Sequence, residues 1–290
     1  MTSNHIICDQ EDNEIAGLSI YEAAQRFAQR FPRKRFIVEP LQWTANHLVF
    51  LRCSFVEVTP NTSPSGPRPT KEKPWAPKKK ITRKQAFQWV AWCNHSVLSP
   101  VIPLRSLLEA YSFKCVQDCP LIFCFNKHRI LLPCEMVSTG PHRKSWKQNH
   151  CRIAFSQIHT AIEGPRNRKF SSRQLEMLGI LPENPHVDPY IAALLIAEAQ
   201  QSQAGSTISL AASAMKTCHK VHFILADYED RKNIRVYSAV ISAAFLRKLS
   251  HPNEKPFSPD STRFDIRYTT LPYRPKSTFP KRLVGVLLGS

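Results

Sequence analysis

Glycine is scarce in this chain, at 8 residues in 290. No G-x-x-x-x-G-K-[ST] and no G-x-G-x-x-G occurs. A P-loop or a dinucleotide fold needs glycine where backbone approaches phosphate, so both enzyme classes are disfavoured. G-x-S-x-G and H-E-x-x-H are missing too, which removes the nucleophile elbow and the helical zinc-protease signature. Apolar runs are short: residues 191–197 form one block, Ile-Ala-Ala-Leu-Leu-Ile-Ala. A bilayer span needs about 20 such residues. The first residues carry Asp9, Glu11, Asp12 and Glu14, not the basic-then-apolar pattern of a secretory signal. Secretion and membrane insertion are therefore not expected, and the nucleus or cytoplasm is. Negative charge is scarce as well: 22 Asp and Glu face 40 Lys and Arg, a formal charge of +18. That balance favours a polyanionic partner: nucleic acid, an acidic protein or an anionic membrane surface. The cysteine count of 9 is odd and comes without an export signal, so reduced thiols are expected and a disulfide framework is not.

What is present points to a core over residues 186–249. Asp188 precedes Pro189, a capping acid followed by the residue that suits a first helical position. The block 191–197 has no polar face, so this helix is predicted to be buried. Val221, Phe223 and Leu225 alternate with His222, Ile224 and Ala226, as in a central strand. A polar turn over 228–232 then leads to a second strand over 234–241, a short helix over 243–249 and a half-buried strand over 264–271. That strand–helix–strand order permits a parallel crossover. A last helix follows Thr278 and Pro280.

Upstream, Ser19 and Glu22 have capping-box spacing ahead of Ile20, Ala24, Phe27 and Phe31. Residues 35–39 and 47–58 read as strands. Residues 59–80 hold six prolines and read as a flexible basic linker. Within and beyond it lie Lys78, Lys79, Lys80, Arg83 and Lys84, a cluster of the nuclear-import type. Residues 104–111 read as a helix. Residues 121–125 and 129–132 flank Asn126-Lys127-His128 as a hairpin. Ser171 and Gln174 repeat the capping spacing, and Gly179 marks a stop. The expected fold is α+β, a mixed β-sheet with packed helices. The divisions are a helix-and-strand region over 1–58, the Pro-rich basic linker over 59–80 and an α+β module over 81–290.

Three groups of residues carry candidate chemistry. A basic belt on two Pro-marked loops holds Arg143, Lys144, Lys147, Arg166, Arg168 and Lys169, with Trp146 able to stack on a base. Asp227, Glu229 and Asp230 close a buried strand, and Asp230-Arg231-Lys232 has the D-x-K form of PD-(D/E)XK nucleases. Those enzymes place their acids on successive strands, whereas all three lie within four positions here. Cys115, Cys119, Cys124 and His128 are potential zinc donors, but their C-x3-C-x4-C-x3-H spacing lacks a C-x2-C knuckle. Neither metal nor cofactor is expected.

The segments DPYIAALLIAEAQ, VHFILADYED and VYSAVISAAFLRKL together resemble a group of uncharacterised proteins of filamentous fungi, over about residues 186–290. The resemblance implies no activity. Non-catalytic binding of nucleic acid or of an acidic partner is the leading expectation. A metal-dependent nuclease using Asp227, Glu229 and Asp230 is the alternative, and a protein-interaction scaffold is the second.

Overall fold

The computed structural model describes residues 17–30, 37–59, 101–139, 152–157, 162–204, 218–227, 230, 232–256 and 263–289. In chain order the helices are α1 (Ile20–Arg30), α2 (Ala45–Leu51), α3 (Val101–Ala110), α4 (Gly164–Lys169), α5 (Ser172–Met177), α6 (Pro189–Ala204), α7 (Ala243–Ser250) and α8 (Phe279–Gly289). The strands are β1 (Cys53–Glu57), β2 (Lys114–Gln117), β3 (Leu121–Phe125), β4 (His128–Leu132), β5 (Met136–Thr139), β6 (Arg152–Gln157), β7 (Cys218–Ala226), β8 (Asn233–Ser242) and β9 (Phe264–Pro272).

Seven strands form one mixed sheet in the order β1-β9-β8-β7-β6-β5-β2, and β3 pairs with β4 apart from it. β1 with β9 and β6 with β7 are parallel, and the other pairs are antiparallel. The two faces bury different sets, as the period of two requires. Val221, Phe223 and Leu225 pack with α6, the β3–β4 hairpin and α1, α2 and α7. Ile224 and Ala226 face the other way, toward Leu104 and Leu108 of α3 and Leu283 and Leu287 of α8. The α+β expectation therefore holds, with helices on both faces.

α6 is the buried helix the composition demands. Every side chain from Tyr190 to Glu198 is fully inaccessible. Each large apolar side chain so buried contributes about 1.5–3 kcal/mol. The polar residue Gln200 does a strand's work: its amide accepts from Cys124 N–H and donates to Cys124 C=O, both at 2.8 Å. That docks the hairpin on α6. The hairpin turns through Asn126 and Lys127, both left-handed at φ 43° and 68°, as a two-residue turn requires. Ser19 and Glu22 bond reciprocally at 2.9 and 3.2 Å, as do Ser171 and Gln174 at 2.8 and 3.3 Å. Gly179 adopts φ +60° after α5.

Three expectations are corrected. Residues 45–51 form a helix, not a strand. Its first turn is set by Thr44 N–H donating to His47 Nδ1 at 2.9 Å, and its end by Arg52 in the left-handed region. A short apolar run suits a buried helix or a strand equally, and here packing decides. Residues 37–39 are also not strand; Val38 C=O instead accepts the Trp43 indole N–H. Finally, β8 and β9 are antiparallel. An eight-residue helix such as α7 rises only about 12 Å, whereas ten residues of strand span about 33 Å. α7 therefore does not carry the chain back to where β8 began. β9 finds its parallel partner in β1, so residues 53–57 belong to the same sheet as the strands of the C-terminal half. Most of the 59–80 linker lies outside the described residues. No helix among the described residues is long and apolar enough to cross a membrane.

Candidate functional site

Polar groups gather at one end of the sheet. β1, β7 and β9 point their carboxyl ends there, and α6 brings its amino end. Asp188 sits at the junction. Its Oδ1 accepts the Tyr190 N–H at 2.8 Å, the cap expected from Asp188-Pro189. The same carboxylate takes both terminal nitrogens of Arg166, at 2.5 and 2.7 Å. Each residue is 3% exposed. Arg166 therefore leaves the proposed basic belt: a buried guanidinium spent on Asp188 has none of its charge to offer a phosphate. Arg168 and Lys169 are exposed on α4, and Lys169 pairs with Glu39. Arg143, Lys144, Trp146 and Lys147 lie outside the described residues. So do Lys78, Lys79, Lys80, Arg83 and Lys84.

The acids at the end of β7 are arranged around a cation. Arg235 places its guanidinium 3.6 Å from Asp227 and 3.3 Å from Asp230. It supplies the positive charge that the alternative reading assigns to a divalent ion. Asp230 also organises the turn, since its Oδ1 accepts the N–H groups of Lys232 and Asn233 at 3.1 and 3.2 Å. Glu229 lies outside the described residues. Among the described residues, no three His, Cys, Asp or Glu side chains are grouped to hold a metal ion. Asp230→Ala should therefore cost about 1–2 kcal/mol, as the loss of turn hydrogen bonds and one charge-assisted contact. Urea unfolding checks this, and an unchanged midpoint would show the turn to be held by other groups.

Three tyrosines and a histidine complete the cluster. Tyr268 donates to Glu57 at 3.3 Å and stacks on Tyr237 with ring centres 5.8 Å apart. Burial pushes the Tyr190 and Tyr237 phenols well above their usual range. Burial, with Arg235 adding to it, pushes His186 down. The Tyr190 and Tyr237 hydroxyls and His186 Nδ1 are buried with no hydrogen-bond partner among the described residues. Each shift favours the uncharged form of its group, as burial does for any acid or base.

The thiols are dispersed. Cys115 lies on β2 and donates to Ser138 at 3.4 Å, whereas Cys124 lies on β3 in the other sheet. Cys134 is buried against the carbonyls of Met136 and Phe155, and burial pushes it up to about 12. Cys53, Cys115, Cys119, Cys124 and Cys134 are free thiols. A cavity of about 180 Å³ opens between α2, the hairpin and α7, walled by Trp43, Phe50, Phe123, Phe125 and Leu249. Glu39, His47 and His128 also line it, so its wall is mostly but not wholly apolar.

One basic surface escapes a reading based on loop prolines alone. Tyr273–Arg282, from the end of β9 into α8, holds Arg274, Lys276, Lys281 and Arg282 and no acid. The Tyr273 N–H donates to the Lys232 carbonyl at 2.8 Å, which brings the exposed Lys232 beside it. The absence of acids over those residues was the available signal; the neighbouring Lys232 had none. No family model matches this chain, and no curated protein matches it.

Proposed function

We propose that this protein is a non-catalytic binder of nucleic acid, engaging it chiefly through phosphate contacts. The carrying observation is how its carboxylates are used. Asp188, Glu198, Asp227 and Asp230 are tied to Arg166, Arg152 and Arg235. Glu22, Glu39, Glu109 and Glu254 pair with Lys255, Lys169, Arg105 and Arg247. Of 40 Lys and Arg, 18 have no carboxylate left even if every acid pairs once. The unmatched charge is positive, and a polyanion is what it would recognise. The cluster Lys78, Lys79, Lys80, Arg83 and Lys84 supports a nuclear location as part of the same proposal.

The test is a binding series with duplex DNA and single-stranded RNA between 50 and 200 mM salt. Affinity should fall by about 10²–10⁴ across that range, because each neutralised phosphate releases counterions. No binding to either at 50 mM salt would remove the proposal.

A further inference from the structure

The loop after β9 presents charge on a backbone held from within, with no aromatic or large aliphatic side chain exposed along it. Arg282 acts as an internal strap. Its Nη2 donates to the carbonyls of Pro272, Arg274 and Pro275 at 2.8, 3.0 and 3.4 Å. Its guanidinium also lies over the Phe279 ring, 5.7 Å from the centre. Thr278 adds two bonds to the Pro275 carbonyl, from its hydroxyl at 3.1 Å and its N–H at 3.2 Å. The two aromatic rings of the segment turn inward: Tyr273 and Phe279 are buried and meet with centres 5.5 Å apart. The carbonyls and rings are thus occupied within the fold. Arg274 and Lys281 are exposed, Lys276 is half-buried, and Lys232 joins them from the β7–β8 turn. Asp230, the acid closest in the chain to Lys232, is turned onto Asn233 and Arg235.

We propose that Lys232, Arg274, Lys276 and Lys281 form the surface that grips the phosphate backbone of a nucleic-acid duplex without reading its bases. This rests on the nucleic-acid reading above. Interfaces with proteins take most of their affinity from buried aromatic or apolar anchors at their centre, and this loop displays none. Single strands are held by bases stacking on exposed aromatics, and Tyr273 and Phe279 face the core. What remains is charge on a loop already held in shape, so binding loses little to ordering. Sequence-independent backbone contact needs only that.

The experiment uses the full chain and a duplex of about 20 base pairs, the length of contact surface a protein of this type covers being far shorter than a persistence length. Matching single-stranded DNA and polyglutamate are the comparison ligands. R274A/K276A/K281A is set against K114A/K127A/R129A, which removes equal charge from exposed positions on β2 and the hairpin. R274K/K276R/K281R keeps the charge and reports on loop shape. The loop variant should lower the salt slope by about 2–3 and weaken duplex binding at least tenfold. The hairpin variant and the charge-keeping variant should stay within about twofold of wild type if the surface is local. If wild type binds duplex and the two charge-removing variants fall together, this surface is wrong while the nucleic-acid reading stands. Tighter binding to single strands or to polyglutamate overturns the duplex assignment. Absence of wild-type binding to duplex or single strand at 50 mM salt overturns both.

Discussion

Asp188→Ala should lower the stability of this protein by about 3–5 kcal/mol. Two effects combine. The helix cap at Tyr190 N–H is lost, which alone costs about 1 kcal/mol. The larger effect is that Arg166 stays buried with no counter-charge. Asp188→Asn keeps an acceptor for the cap but not the charge, so it should fall between. Arg166→Met joined with Asp188→Asn removes both charges and should recover much of the loss, since a buried pair replaced as a unit is often close to neutral. Urea unfolding of the four proteins decides the matter. A loss below about 1 kcal/mol in Asp188→Ala would mean that the pair contributes no more than a surface contact does.

The contrast between Asp188 and its partner shows what the sequence can carry. The cap was legible because its determinants are adjacent: an acid, a proline and an apolar block. The same holds for Ser19 with Glu22, Ser171 with Gln174 and Asn126-Lys127, all signals spanning four residues or fewer. Arg166 lies 22 positions upstream of Asp188 and read as one more cation in a basic run. Nothing local distinguishes a cation that faces solvent from one that the fold turns inward. Arg235 was missed for the same reason: the acids at Asp227 and Asp230 were visible, but the cation between them comes from the next strand. β1 illustrates the longer-range case. Its partner β9 is 211 residues away, and its parallel register follows from the sheet as a whole. The helix at 45–51 is a different failure. Leu48, Phe50 and Leu51 fit either element, and only the neighbouring α6 and hairpin choose between them.

Acid should unfold this protein sooner than its carboxylates alone would, because of His222. The side chain sits on the central strand β7 with no exposure. Its Nδ1 lies 2.7 Å from Ser238 Oγ, and its Nε2 is buried without a hydrogen-bond partner among the described residues. Burial, helped by Lys220, pushes it from 6.5 down to about 3. The unfolded chain therefore takes up a proton at this residue below pH 6.5, and the folded chain does so only near pH 3. Stability from this group is complete above pH 6.5 and is lost progressively as pH falls to 3. At about 1.4 kcal/mol per pH unit, the drop from pH 6.5 to 4 reaches about 3 kcal/mol. That is a large fraction of a typical 5–15 kcal/mol. Burial also lowers His219 and His186, which act in the same direction. Glu198 opposes them: burial raises its carboxyl, so the fold accepts that proton more readily than the open chain. His222→Asn keeps a polar atom near Ser238 and does not titrate. Its unfolding free energy should fall less than half as far as wild type between pH 6.5 and 4, whatever its stability at neutral pH. Parallel pH profiles for the two proteins would show that the proton is taken up elsewhere.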